Sequence, residues 1–204
     1  MITIYGPAGT SAGRCYWTLE EIGLSYEVAP FSFKDGDHRK PDFLALNPNG
    51  KVPVLRDGDH VLWESMAINQ YLAETYKPEL LGKDTMDKVH ISKWSFWALA
   101  DYQTPIINVF IQKVFVPEDR RDQAVIEKGI KKVGPMNKLL NEHLNGRNHL
   151  IGDDFTLADL NVASVAKINR AIGIDLGEYP HLETWLNKVL ERPAAQRVAK
   201  LERS

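Results

Sequence analysis

The periodicity of the chain changes once, near residue 76, and that change limits the folds open to it. Before it, strand-like and helix-like segments alternate; after it, every periodic segment is helical. Ile2–Tyr5 is a short apolar, β-rich run closed by Gly6-Pro7. Ala12, Cys15, Leu19 and Ile22 then fall at helical spacing, and Gly23 supplies a stop. Residues 26–33 read as a second strand, and Pro41–Leu46 as a short helix ended by Asn47-Pro48-Asn49-Gly50. Residues 52–56 and 60–63 flank Asp57-Gly58-Asp59, a hairpin signal. Ser65 is placed to cap a helix with Ala67, Ile68, Tyr71 and Leu72 on one face.

The order is therefore βαβ, short helix, ββ, helix. The first unit should be a right-handed parallel crossover and the last strand pair an antiparallel hairpin. That combination is α/β: a mixed four-stranded sheet with helices in a thioredoxin-like arrangement, over residues 1–76. Residues 77–86 read as a linker, and 87–204 as an all-α helical bundle. Its first helix, to about residue 116, is rich in aromatics and should be kinked or divided by Pro105. Pro117-Glu118-Asp119 reads as the start of the next, to about residue 144. Helices over 156–172 and 180–190 follow, and Pro193 begins a last short one. Thr156 and Asp159 have capping-box spacing.

The net charge of the 204 residues is −2, so nothing draws the chain to nucleic acid or to an anionic membrane. One cysteine, Cys15, rules out an internal disulfide and fits a reducing, cytoplasmic setting. The opening Met1-Ile2-Thr3-Ile4-Tyr5-Gly6 lacks the basic and long apolar segments of a signal peptide. No stretch approaches the ~18 apolar residues of a membrane span. Six histidines show no metal-ligand spacing, no phosphate-loop motif is present, and Cys15 has no Cys-x-x-Cys partner.

Two neighbouring features carry chemistry. The extended run Lys51-Val52-Pro53-Val54-Leu55 offers backbone groups at a strand edge. Nine residues on, Glu64-Ser65 heads an apolar helix and offers an acid, a hydroxyl and the unpaired amides of a helix start. Together they suit a small peptide with an amine at one end and carboxylates at both.

Four stretches then share a signature: Leu19-Glu20-Glu21-Ile22-Gly23-Leu24-Ser25-Tyr26-Glu27, Asn47-Pro48-Asn49-Gly50-Lys51-Val52-Pro53-Val54-Leu55, Glu64-Ser65-Met66-Ala67-Ile68-Asn69-Gln70-Tyr71-Leu72 and Phe155-Thr156-Leu157-Ala158-Asp159-Leu160. In this order and spacing the chain resembles the cytosolic glutathione transferases over essentially its whole length. The resemblance implies that glutathione is a co-substrate rather than a resident cofactor, that its thiolate is conjugated to small hydrophobic electrophiles or reduces peroxides, and that the protein is a homodimer. It implies a cis Val52-Pro53 bond, with the backbone at Val52 pairing with the cysteinyl unit. Glu64 would take the γ-glutamyl ammonium, and Ser65 with the helix amides its α-carboxylate. Lys51, with Arg39 or His38 next and Lys40 nearby, would meet the glycine carboxylate. Trp94, Trp97 and Tyr102, with Phe110, would line an electrophile pocket on the helical domain. Asp101 would reach the ammonium across a dimer interface.

The thiol-activating group should lie between Gly6 and Cys15. Lowering a thiol pKa by ~2 units takes ~2.7 kcal/mol. One hydrogen bond to a charged partner supplies ~1.5–3 kcal/mol and a helix end ~0.3–1. A single hydroxyl at a helix start therefore suffices. Ser11 is the first candidate and Thr10 the second; the first serine of the family's usual pattern falls instead on Gly9 and its second on Ala12. That departure leaves open a non-catalytic binding or scaffold protein of the same fold. A narrow-substrate glutathione-dependent isomerase or dehalogenase would use the same residues.

Overall fold

The computed structural model describes residues 1–202. β1 (Ile2–Tyr5) alternates buried Ile2 and Ile4 with half-buried Thr3 and Tyr5, which suits a strand with neighbours on both sides. The sheet order is β2-β1-β3-β4. β2 (Tyr26–Val28) runs parallel to β1, with Tyr26 opposite Ile2. β3 (Val54–Asp57) runs antiparallel to β1, with Leu55 opposite Ile4, and β4 (His60–Trp63) closes the hairpin with Leu62 opposite Leu55. The mixed four-stranded topology is the one read from the sequence.

Both outer boundaries shift because of proline. β2 stops at Val28 rather than at residue 33, since Pro30 has no N–H to continue the ladder; its last bond runs from the Ala29 amide to the Ile4 carbonyl, 2.9 Å. β3 starts at Val54 rather than at residue 52 for the same reason at Pro53.

α1 (Gly13–Ile22) makes the crossover and buries Cys15 and Leu19; Gly23, at φ 82°, ends it by donating its amide to the Leu19 carbonyl. α2 (Pro41–Leu46) is a short turn of helix pinned by Phe43. α3 (Ser65–Tyr76) packs beside α1 through Ile68 and Leu72.

The chain divides into two compact units: Met1–Leu81 together with the chain from Arg192 onward, and Gly82–Glu191. The expected linker over 77–86 is only partly one. Pro78–Leu81 is a 3-10 turn that buries Leu80 and Leu81 against α3. The last helix, expected in the helical domain, belongs with the sheet. α10 (Pro193–Leu201) lies on α1, held by a bidentate pair from the Arg192 guanidinium to Glu21 at 2.7 and 2.8 Å and by Arg197 on Glu20.

The second unit begins with α4 (Thr85–Trp97), capped by the Asp84 carboxylate on the Asp87 amide at 2.9 Å. Ala98–Gln103 is π-helical and leads into α5 (Thr104–Val114). Pro105 explains the widened turn: it has no N–H, and its ring would crowd the carbonyl one turn back in a regular helix. The next helix opens later than Pro117; Glu118–Arg120 is a 3-10 turn, and α6 (Gln123–His143) starts where Asp122 caps the Val125 amide at 3.1 Å. α7 (Leu157–Ala166) is buried on every side, α8 (Ile168–Ala171) is a single turn, and α9 (Pro180–Leu190) completes the unit.

The capping box at α7 forms as read. The Thr156 hydroxyl accepts from the Ala158 amide at 3.2 Å, and the Asp159 carboxylate accepts from the Thr156 amide at 3.1 Å. Thr156→Ala is expected to lower stability by about 0.5–2 kcal/mol, read by urea unfolding, with the slope of the transition unchanged.

Candidate active site

The loop from β1 to α1 is shaped by three close contacts. Gly6 has φ 116°, and a Cβ there would lie 2.6 Å from the Val52 Cβ. Its carbonyl accepts from the Tyr16 hydroxyl at 2.9 Å. Gly13 abuts the Ala8 carbonyl, where a Cβ would sit at 2.4 Å. Gly6→Ala would meet both a strained backbone and the Val52 side chain. We expect a loss of about 1–3 kcal/mol in denaturant unfolding. A parallel loss of affinity for any ligand gripped at Val52 is expected in titration calorimetry.

The two hydroxyl candidates in this loop differ. Thr10 is committed: its Oγ1 donates to the Pro7 carbonyl at 2.7 Å and accepts from the Ala12 amide at 3.2 Å. The Thr10 hydroxyl proton therefore holds the turn. Ser11 is half-exposed, and its hydroxyl and amide have no hydrogen-bond partner among the described residues. It is not the helix cap; Ala12 holds that position, with no side-chain bond. Tyr5 is half-buried against Phe43, with ring centroids 6.3 Å apart. Cys15 is fully buried, and burial pushes its thiol pKa well up, so it is a neutral core side chain.

The Val52-Pro53 peptide bond is cis, and Pro53 is buried beneath half-buried Val52. Asn47, 2 % exposed, organises the approach to it. Its Nδ2 donates to the Lys51 carbonyl at 2.7 Å and its Oδ1 accepts from the Asn49 amide at 3.0 Å. Gly50, at φ 61°, passes close to the His38 carbonyl, which brings the 3-10 turn Asp37–Arg39 next to Lys51. The Lys51 and Arg39 side chains are exposed there, whereas Lys40 is paired with Asp37 at 2.5 Å. His38 is half-buried, and its Nδ1 is buried with no hydrogen bond among the described residues.

The turn into α3 departs from the simple cap expected at Ser65. Ser65 is the first helical residue, and Glu64 is the cap position, at φ 71° and ψ 108°. Among the described residues Glu64 is the one non-glycine with positive φ. Such a conformation costs about 1–3 kcal/mol and persists where its surroundings enforce it. The enforcing groups come from α1. The Arg14 Nη1 donates to the Ser65 Oγ at 3.4 Å, and the Cys15 Sγ lies 3.4 Å from the Ser65 carbonyl, donating to it. Ser65 is 5 % exposed, and so is Arg14. Burial pulls the Arg14 pKa from 12.5 down to about 10, and Arg14 remains a cation at neutral pH, where the Glu64 carboxylate favours its charge.

No local sequence pattern marks Arg14. It lies 51 positions from Ser65, and an arginine beside an apolar helical stripe reads as solvated. Gly6 was likewise read only as a strand stop.

The aromatic residues expected to line a pocket are largely core. Tyr102 is fully buried; its hydroxyl donates to the Asn137 Oδ1 at 2.5 Å and accepts from the Asn169 Nδ2 at 2.6 Å. Trp94 is 6 % exposed, edge-on to Trp97 and packed on His143, with centroids at 5.4 and 4.7 Å. Only Trp97 of the three is half-exposed. The exposed aromatics of the unit are Phe96 and Phe115, the latter in contact with half-buried Phe110. Asp101 is exposed in the π-helical segment. No cluster of potential metal ligands and no helix long and apolar enough to cross a membrane occurs among the described residues.

Comparison with known proteins identifies the family and agrees with the fold. The family model for the glutathione S-transferase N-terminal domain matches residues 2–74, and that for the C-terminal domain matches 104–193. Glutathione S-transferase 4 of Zea mays is 35 % identical over 204 residues, covering 97 % of this chain and 92 % of that protein. Glutathione S-transferase I from maize, in complex with an atrazine glutathione conjugate, superposes with a TM-score of 0.90 at 33 % identity, covering 99 % of this chain and 98 % of that one. The theta class glutathione S-transferase of Xanthomonas axonopodis pv. citri, with glutathione bound, also superposes at 0.90, with 33 % identity and coverage of 96 % and 95 %.

Proposed function

We propose that this chain, which belongs to the glutathione S-transferase family, binds glutathione on its sheet-bearing unit and conjugates the thiolate to small hydrophobic electrophiles. The observation that carries the reading is the juxtaposition of a cis Val52-Pro53 bond with the left-handed Glu64 turn and buried Ser65. An extended backbone and a helix start in that relation suit the cysteinyl and γ-glutamyl parts of one peptide.

In this reading the Val52 backbone pairs with the cysteinyl unit and fixes the sulfur over the β1–α1 loop. Glu64 meets the γ-glutamyl ammonium; the Ser65 hydroxyl and the α3 amides meet its α-carboxylate, aided by the helix dipole. Lys51 and Arg39 flank the glycine end as exposed cations, and His38 adds a ring nitrogen. Ser11 donates its free hydroxyl to the sulfur, and the start of α1 adds its positive end. The proton leaves to solvent, the thiolate forms a bond to the electrophilic carbon, and a leaving group departs or an adjacent atom is protonated. Ser11 makes no covalent bond in the sequence. Glutathione S-transferase 4 of Zea mays, and the maize transferase in complex with an atrazine glutathione conjugate, support conjugation as the reaction. Peroxide reduction would begin from the same thiolate.

The protein would act in the cytoplasm as a homodimer. The exposed apolar residues Met86, Val89 and Phe96 recur along α4 and support a covered face there. The direct test of function is retention on immobilised glutathione, with elution by free glutathione. Failure to bind at millimolar glutathione would overturn the reading.

A further inference from the structure

We propose that Asn145-Gly146, in the turn after α6, is a site of spontaneous covalent modification, where Asn145 becomes aspartate and isoaspartate through a cyclic imide. The same dipeptide occurs twice in the chain, at Asn49-Gly50 and at Asn145-Gly146, and the fold exposes one to the reaction and shields the other. The Gly nitrogen forms a bond to the Asn Cγ, the bond from Cγ to Nδ2 breaks, and ammonia leaves with the proton that the backbone nitrogen gives up. Water then opens the ring at either carbonyl, which gives aspartate or isoaspartate. No oxidant, reductant or partner is needed. A following glycine favours the step because no side chain hinders the approach of its nitrogen.

At Asn145 the reacting groups are free. The helix has ended at His143, and both Asn145 and Gly146 are exposed. Gly146 has φ 69°, and a Cβ there would meet no heavy atom within 4 Å beyond its chain neighbours. The Asn145 carboxamide and the Gly146 amide have no hydrogen-bond partner among the described residues. Asn145, Gly146, Arg147, Asn148, Gly152 and Asp153 line an open hollow of about 320 Å³, which gives water access to the ring. At Asn49 the same groups are engaged. The Gly50 amide, the nucleophile, donates to the Asn47 carbonyl at 3.0 Å. The Asn49 Nδ2, the leaving group, donates to the Asn47 Oδ1 at 3.2 Å, and that oxygen also accepts from the Asn49 amide at 3.0 Å. Asn47 is itself 2 % exposed, so the tether is part of the core rather than a surface contact. Gly50 is further confined by the His38 carbonyl, 2.9 Å from where a Cβ would lie. Asn47 thereby shields the Asn-Gly pair beside Lys51, where a new carboxylate would oppose that exposed cation.

The test ages the folded wild-type protein in mildly alkaline buffer and follows the peptides that contain residues 49 and 145 by mass spectrometry, reading the exchange of the side-chain NH2 for OH. Isoaspartate is scored in parallel with an isoaspartate-specific methyltransferase. Asn145 is expected to react roughly 5- to 150-fold faster than Asn49, the factor that corresponds to freeing two neutral hydrogen bonds at Asn49. The same incubation in urea removes the tether, and the two sites should then react within a few-fold of each other. Asn145→Ser should remove the early methyltransferase signal from the folded protein. Equal rates at the two sites in the folded protein would overturn the proposal. So would a preference for Asn145 that persists undiminished in urea, because neighbouring sequence rather than the fold would then set it. A methyltransferase signal unchanged in Asn145→Ser would also overturn it.

Discussion

Asp159→Ala is expected to be the most destabilising single substitution argued for this chain, with a loss of about 3–5 kcal/mol in urea unfolding. The carboxylate is fully buried and accepts four hydrogen bonds, from Leu150, Trp185 and both the amide and, at 3.5 Å, the hydroxyl of Thr156. Its Oδ1 accepts from the Leu150 amide and from the Trp185 Nε1, each at 2.9 Å, and its Oδ2 accepts from the Thr156 amide at 3.1 Å. His149 Nδ1 stands 3.7 Å away. Removing the carboxylate leaves these buried donors unmatched, at roughly 1–3 kcal/mol each before relaxation. It also uncaps α7, the helix buried on all sides. Asp159→Asn keeps one acceptor but turns an amide NH2 toward donors, so it should recover only part of the loss. A change below about 1 kcal/mol in Asp159→Ala would show that the unit is not organised around this group.

Ser11→Ala is expected to reduce kcat/KM for conjugation by roughly 10- to 100-fold at neutral pH, with the affinity for glutathione nearly unchanged. The size follows from one hydrogen bond to a charged sulfur, about 1.5–3 kcal/mol. The direction with pH follows from the same bond. In wild type the thiol pKa is lowered, so the rate reaches its plateau at lower pH. In Ser11→Ala the pKa returns toward ~8.5, and the deficit should shrink as pH rises past it. A deficit that stays constant across that range would mean Ser11 acts other than by ionising the thiol. Thr10→Ala should instead lower stability, because its hydroxyl ties Pro7 to Ala12.

The elements most legible in the sequence are those whose signals are local. Pro41–Leu46, His60–Trp63 and Pro180–Leu190 begin or end at prolines, a hairpin turn or a glycine-rich stop, and they form within the limits read. Where an aromatic run extended the strand reading beyond Val28, the missing N–H of Pro30 prevailed. The return of α10 to α1 was not legible: the Arg192–Glu21 pair spans 171 positions, and no local pattern reports it. Trp94 and Tyr102 are expected in a pocket on the strength of the family resemblance, with the helix kinked or divided at Pro105. Both are buried instead: Trp94 packs on Trp97 and His143, and Tyr102 lies in the π-helical turn with its hydroxyl on Asn137 and Asn169.

The clamp follows the same rule. Val52-Pro53 and Glu64-Ser65 were visible because each is a contiguous motif on one hairpin and one helix start. The supports beneath them, Gly6 under Val52 and Arg14 under Ser65, come from the first strand and helix and meet the clamp only in the folded sheet. Sequence ranks Ser11 before Thr10, and the loop hydrogen bonds distinguish the two: the Thr10 hydroxyl is engaged with Pro7 and Ala12, while the Ser11 hydroxyl has no partner among the described residues.

The ionisation state of bound glutathione tests the central claim most directly. Thiolate absorbance in the ultraviolet, followed across pH for the complex with wild-type protein, should give a thiol pKa about two units below that of free glutathione. A bound thiol that titrates where the free one does would contradict the account, even if glutathione binds.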